Sequence, residues 1–363
     1  MFTPIRHIAS LFWKRRPIQL TYFVTDRCNA QCPFCFYRQN NDYRPKYGNE
    51  LSVEEIRQIA RRCGKLLWLA FSGGEIFLRK ELVQISQIFY EYAKPVFMSY
   101  PTNGLMPLVI KNNIEAILRL CENSTITVKL SIDGLFSDHD ELRNTPGCFN
   151  RILKTYHLLS QLVDRYPNFE LGVNTVFCAQ NQDNMVGIIE FVRKLEYVRT
   201  HTISLVHGDL KHADYKNVDY DKYLKTTELM ANGMRNNSSQ RYHSKGNKIK
   251  AAQDIMQRKL IYQTAVSQTH PIPCYAGKAN IVMSERGDIY PCEMLNYSFG
   301  NVRDFDYDLE KVRTSRDACT FLHNSNKEKC FCTHESHFMT NILLNPTLYP
   351  RLAQEYVKIS KSN

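Results

Sequence analysis

Cysteines 28, 32 and 35 constrain this chain more than any other feature. Residues 24–37, Val-Thr-Asp-Arg-Cys-Asn-Ala-Gln-Cys-Pro-Phe-Cys-Phe-Tyr, set them in a Cys-x3-Cys-x2-Cys spacing on one tight loop. Soft thiolates at that density select zinc, copper(I) or an iron–sulfur cluster. A structural zinc site is closed by four ligands, and the next cysteine, Cys63, lies beyond a helix-like stretch without a paired thiol. Three cysteines on a cubane leave one iron open to a small ligand, which is an arrangement for chemistry rather than scaffolding.

The loop follows Ile18–Thr25, an alternating run rich in β-formers that reads as a first strand. Ser52 and Glu55 then form a capping box for a helix over 53–63, and Leu66–Phe71 reads as a second strand ending in Ser72-Gly73-Gly74-Glu75. Two glycines there let a ligand approach the backbone, and Glu75 adds an acceptor for a cationic group. The alternation continues. Helices are expected over 80–92, 109–121, 149–166 and 184–195, and strands over 96–100, 125–132, 170–177 and 202–206. Six β/α units imply a parallel sheet with right-handed crossovers and chemistry at its carboxyl edge.

Composition narrows the class. The chain has 363 residues, 43% apolar and 23% charged, and can bury a substantial core. No run approaches the ~18–20 apolar residues that span a bilayer. The first residues place their basic cluster after the apolar ones, unlike a signal peptide, so a cytoplasmic protein is expected. Twelve cysteines then favour reduced thiols and metal ligation over disulfides. The net charge of +11 is spread without a long basic run or an aromatic–basic signature, so it reads as a solvated face and no nucleic-acid partner is expected. Residues 3–16 suit a short amphipathic helix with Ile5, Ile8, Phe12 and Trp13 on one side, packing under a barrel or making peripheral membrane contact.

The Cys28–Cys32–Cys35 spacing, with aromatic Phe34 before the third cysteine and Gly73-Gly74-Glu75 one β/α unit later, resembles the radical S-adenosylmethionine (SAM) enzymes. That resemblance implies a partial (β/α)6 TIM-like barrel. It implies a [4Fe-4S] cluster on Cys28, Cys32 and Cys35 whose fourth iron takes the amino and carboxylate groups of SAM. It further implies that Gly73, Gly74 and Glu75 meet the methionyl amino group, that Thr102, Asn103, Ser131, Asp133 and Asn174 line the cofactor pocket, and that Arg143 pairs with the SAM carboxylate. Thr102-Asn103-Gly104 and Asp133-Gly134 are otherwise ordinary turn formers.

After Pro271-Ile272-Pro273 comes Cys274, then Gly287 and Cys292, with a β-hairpin expected from 280–284 and 288–290; Cys330 and Cys332 follow in Lys-Cys-Phe-Cys-Thr-His-Glu. This pattern looks like the family's SPASM extension, in its shorter twitch form with one auxiliary [4Fe-4S] cluster. Cys274, Cys292, Cys330 and Cys332 are its expected ligands, with His334 the alternative fourth donor and zinc the alternative metal.

The expected organisation is an amphipathic segment over 1–17, a radical SAM partial barrel over 18–206, a helical connector over 207–273, an auxiliary-cluster domain carrying the β-hairpin over 274–340, and a tail over 341–363. The resemblance implies a SAM-cleaving oxidoreductase that forms a 5′-deoxyadenosyl radical and takes hydrogen from a peptide or small molecule, with a flavodoxin- or ferredoxin-type electron donor. The alternative is a non-catalytic protein stabilised by zinc or iron–sulfur clusters.

Overall fold

A computed structural model describes residues 1–12, 16–37, 47–236, 247–324 and 331–359. Trp13, in the expected amphipathic segment, and Cys330, in the second cysteine group, lie outside the described residues.

After a 3-10 turn (Pro4–His7) and a short helix α1 (Ala9–Phe12), the chain alternates strand and helix. β1 (Gln19–Phe23), α2 (Val53–Arg62), β2 (Trp68–Ser72), α3 (Leu82–Tyr92), β3 (Phe97–Thr102), α4 (Pro107–Leu120) and β4 (Thr125–Ser131) come first. Then follow α5 (Phe136–Leu142), α6 (Cys148–Val163), β5 (Phe169–Phe177), α7 (Met185–Arg193) and β6 (Thr200–Leu205). Helices α8 (Tyr220–Arg235) and α9 (Asn247–Ser267) lead to β7 (Asn280–Met283), β8 (Asp288–Tyr290) and β9 (Gly300–Asn301). The chain closes with α10 (Leu309–Arg313), α11 (Arg316–Asn324), α12 (Glu335–Leu343) and α13 (Tyr349–Lys358).

Strands β1 to β6 are parallel, in the expected order. Alternate residues such as Leu20, Tyr22, Leu69, Phe71, Met98, Tyr100, Val128 and Leu130 are fully buried against the surrounding helices. The intervening residues face the barrel interior and are largely polar on β4 to β6: Thr127, Lys129, Ser131, Asn174, Thr202 and Ser204. Lys129 Nζ donates to Thr202 Oγ1 at 2.7 Å across that interior.

Two features depart from the sequence expectation. The C-terminal hairpin joins the barrel sheet, with β7 running parallel beside β1 in the register Gln19↔Asn280; β8 and β9 continue it antiparallel. A parallel pairing 261 positions away leaves no local signal. Between β4 and α6 stands a helix that the sequence pattern did not assign, α5, too short for periodicity to show, with only His139 and Leu142 buried.

The capping box at α2 forms as expected, with Ser52 N donating to Glu55 Oε2 at 2.8 Å and Glu55 N to Ser52 Oγ at 3.3 Å. The N-terminal segment sits at the amino ends of the strands: Phe2 N bonds Asn123 O at 2.7 Å, and Arg6 reaches the carbonyls of Leu66 and Lys94. Its Ile5 and Ile8 are exposed. Among the described residues no helix is long and apolar enough to cross a membrane.

Candidate cofactor and cluster site

The cysteine loop leaves the carboxyl end of β1 and lies directly on the turn that follows β2. Gly74 N donates to Thr25 O and Glu75 N to Arg27 O, both at 2.9 Å. A Cβ on Gly73 would collide with the Thr25 carbonyl, and one on Gly74 with that of Arg27. Gly73 also holds φ +130°, a conformation that only glycine adopts without strain. The Gly-Gly pair is therefore required by the approach of two backbones.

Within the loop, Ala30 N faces Cys28 Sγ at 3.4 Å, and the Asn103 amide reaches both Cys28 Sγ at 3.8 Å and Asn29 Oδ1 at 2.8 Å. Burial pushes the Cys32 thiol up to about 11, opposed by Arg143 and reinforced by charge on Asp133, Cys35 and Cys28. No three described Cys, His, Asp or Glu side chains gather tightly enough to enclose a single metal ion. Phe34 is buried against Leu142, Cys178 and Val206.

Glu75 is 2% exposed. Its carboxylate accepts from Thr102 Oγ1 at 2.9 Å, Asn103 N at 2.8 Å and Phe77 N at 3.3 Å. Burial nevertheless raises its pKa to about 7, with the hydrogen bonds opposing. It makes no salt bridge to a described basic side chain, so the site holds a desolvated acceptor. Thr102 and Asn103 thus support Glu75, a role their place in a turn did not disclose.

Ser131 and Asn174 are register neighbours on the interior face of β4 and β5, and Ser204 Oγ donates to Asn174 Oδ1 at 2.9 Å. Asp133 is fully buried and pairs with Arg143, which donates to Asp133 Oδ2 from Nε at 2.7 Å and Nη2 at 2.6 Å. Asp133 Oδ1 also accepts from Val176 N at 2.7 Å. Burial is the largest influence on Arg143 and opposes its charge, but the charge and hydrogen bond of Asp133 together with Cys32 and Cys148 raise the guanidinium pKa, and the Cys32 contribution sets the pair near the cysteine loop. The two residues expected as separate pocket contacts form one ion pair.

The Radical SAM superfamily profile matches residues 22–192, which span the cysteine loop, the Gly-Gly-Glu turn and the ion pair. Over that stretch the chain is similar to the radical SAM superfamily. It is 25% identical over 187 residues to the sporulation killing factor maturation protein SkfB of Bacillus subtilis (strain 168), covering 51% of this chain and 42% of that protein. With the antilisterial bacteriocin subtilosin biosynthesis protein AlbA of Bacillus subtilis (strain 168) it is 24% identical over 332 residues, covering 86% of this chain and 65% of AlbA. The chain therefore spans less than two thirds of the length of each. The structure of Streptococcus suis SuiB bound to S-adenosylmethionine shares the fold with TM-score 0.62 at 17% identity, over 88% of this chain and 71% of SuiB. SuiB bound to its precursor peptide SuiA matches with TM-score 0.59 at 16% identity, over 88% and 70%.

Beside the radical SAM domain, Cys274, Cys292 and Cys332 line one cavity of about 570 Å³ together with His270, His337 and apolar residues including Phe321 and Met294. A cluster of imidazoles lies between this cavity and the first cysteine loop. Ring centroids run from Phe36 to His207 at 5.2 Å, to His334 at 4.8 Å and to His337 at 5.1 Å. His334 Nε2 meets Glu293 at 2.8 Å; burial opposes the Glu293 charge, yet His334 holds its pKa down at about 2. The sequence reading passed over Glu293 and His207. Their only signals were adjacency, Glu293 to Cys292 and His207 to the end of β6.

Proposed function

We propose that this chain cleaves SAM reductively at a [4Fe-4S] cluster held by Cys28, Cys32 and Cys35, and uses the 5′-deoxyadenosyl radical to abstract hydrogen from a substrate. The observation that carries the reading is the packing of Gly73-Gly74-Glu75 on the cysteine loop, which sets a buried carboxylate with no salt bridge to a described basic side chain beside three thiols. The cluster, when bound, supplies the electron that splits SAM into methionine and that radical.

The rest of the work falls to the chain. Glu75, oriented by Thr102 and Asn103, receives the methionyl ammonium, whose charge satisfies a carboxylate that burial otherwise disfavours. Gly73 and Gly74 let the cysteine loop pack directly on this turn, which sets Glu75 beside it. Ser131 and Asn174 offer polar contacts on the interior face, and Phe34 shields the loop from water. Asp133 holds the Arg143 guanidinium in place near Cys32, leaving its remaining donors to meet the SAM carboxylate. A flavodoxin- or ferredoxin-type protein is the electron donor in this reading. The cavity of Cys274, Cys292 and Cys332 is read as the site of an auxiliary [4Fe-4S] cluster in a twitch-like extension.

A peptide is the substrate class the relatives support, since SkfB and AlbA bear the names of peptide maturation proteins and SuiB binds its precursor peptide. The test is anaerobic reconstitution with iron and sulfide, followed by dithionite and SAM. Roughly eight irons per chain, four for each cubane, and release of 5′-deoxyadenosine that Cys28→Ala abolishes are expected. Bound zinc with no SAM cleavage would instead identify a metal-stabilised binding protein.

A further inference from the structure

We propose that Lys129 is the substrate-anchoring residue of the barrel interior, where its ammonium takes a carboxylate of a peptide substrate. This rests on reading the chain as a SAM-cleaving enzyme, and it adds the chemical class of the group recognised.

Lys129 of β4, Gly172 of β5 and Thr200 of β6 are register neighbours on the interior face, and the next row toward the carboxyl ends is Ser131, Asn174 and Thr202. Lys129 reaches up to that row, its Nζ donating to Thr202 Oγ1 at 2.7 Å. Gly172 carries no side chain to block the reach: a Cβ there would stand 3.6 Å from Lys129 Cγ and 2.4 Å from Thr200 Oγ1. The ammonium is therefore level with Asn174, which the SAM reading places in the cofactor pocket. A carboxylate held there sets its neighbouring C–H bonds beneath that pocket.

The chain itself supplies no anion in contact. Among the described residues Lys129 makes no salt bridge, and its hydrogen-bond partner is a neutral hydroxyl. Burial pushes its pKa down to about 8, with Lys250 and Arg258 acting in the same direction and Asp254 and Glu335 opposing. Asp254 is engaged by Lys250 at 2.5 Å. Arg258 donates to the His201 carbonyl at 3.2 Å and pairs with no described carboxylate. Three cations thus share two carboxylates, which leaves one positive charge for a ligand to neutralise.

Unmet hydrogen bonds mark the same space. Thr200 Oγ1 and Glu335 Oε1 are buried with no described partner, and Glu335, at the start of α12, stands beside Ser204 of the interior face. One ammonium with nearby hydroxyls suits a monoanion. A phosphate dianion is better matched by an arginine fork, and Glu335 repels it. The carboxylate is that of an aspartate or glutamate side chain or of the peptide's own C-terminus.

The experiment uses the reconstituted full chain with SAM, without oxygen or reductant, and measures peptide binding by calorimetry. The probes are N-acetylated pentaglycine amides with glutamate, glutamine, aspartate or asparagine at the centre, and N-acetylated pentaglycine with a free C-terminus. A carboxylate probe is expected to bind about tenfold tighter than its uncharged counterpart, the worth of one charged hydrogen bond. Preference for the glutamate or aspartate probe assigns a side chain, and preference for the free acid assigns the C-terminus. Lys129→Met, which keeps the apolar stem, should abolish the preference, and Lys129→Arg should keep it. A lysine that only packs would leave the acid-to-amide ratio of Lys129→Met unchanged. Equal binding of acid and amide probes by the wild-type chain, no binding of any probe, or a preference that survives Lys129→Met overturns the assignment. The wild-type comparison stands whether or not Lys129→Met folds. Release of 5′-deoxyadenosine after adding dithionite is read separately: its absence overturns the SAM-cleaving reading, whereas probe selectivity alone decides Lys129.

Discussion

The Tyr37 hydroxyl donates to the Glu285 carboxylate at 2.5 Å, joining the end of the first cysteine loop to the turn between β7 and β8. The Tyr37 ring stacks on Phe23 at 4.6 Å, and Arg286, beside Glu285, pairs with Asp26 at 2.6 Å. The radical SAM loop is thus braced by the C-terminal hairpin. Tyr37→Phe keeps the stack and leaves a buried carboxylate short of one donor, at a cost of about 1–3 kcal/mol. Denaturant unfolding measures that loss, and iron retention on dilution should fall with it.

Gly74→Ala places a methyl group against the Arg27 carbonyl. Overpacking of this kind costs about 1–3 kcal/mol, and here the strain falls on the loop that carries Cys28. The variant should fold with a lowered melting temperature and bind markedly less iron at the first site. Full iron content and unchanged SAM cleavage would contradict the close approach.

Asp133→Ala leaves Arg143 buried without its carboxylate and removes the acceptor of Val176 N. Breaking a buried pair from one side costs about 3–5 kcal/mol. Urea midpoints should show the loss for Asp133→Ala, and Asp133→Asn should recover part of it by keeping the Val176 contact.

Glu75 has its folded pKa raised to about 7 by burial, while an unfolded glutamate titrates near 4.3. Between those values the folded state binds more protons than the unfolded one, so this group makes stability decline as pH rises from about 4.5 to about 7. Unfolding free energies of cofactor-free protein across that range should show the decline, and Glu75→Gln should flatten it. SAM should bind less tightly to that variant.

Glu55 both caps α2 and meets Arg303, with Nε at 2.6 Å. Burial opposes its charge, but Arg303 and Ser52 together hold its pKa at about 2. Ser52→Ala removes one cap at about 1 kcal/mol, whereas Glu55→Ala removes the cap and the contact to the C-terminal segment. Thermal melts should rank Glu55→Ala below Ser52→Ala at pH 7. The difference should narrow as acid protonates Glu55, because a lowered folded pKa contributes stability that is lost as pH falls toward 2.

Much of this molecule is written in short stretches. The Cys28–Cys32–Cys35 loop, the Ser52–Glu55 cap, the alternation of strands and helices through β6 and the 280–290 hairpin each depend on residues a few positions apart, where propensity, capping and side-chain period act directly. Sequence alone therefore determined the barrel class, the thiol loop and its Gly-Gly-Glu companion. The tertiary structure decided which distant groups meet: β7 beside β1, Tyr37 on Glu285, Arg143 on Asp133, and Lys129 on Thr202. Those pairings arise from closing long loops around a packed sheet, and no local preference of either partner encodes them. Even Thr102 and Asn103, legible as a turn, acquired their place as supports of Glu75 only when parallel pairing brought the ends of β2 and β3 side by side.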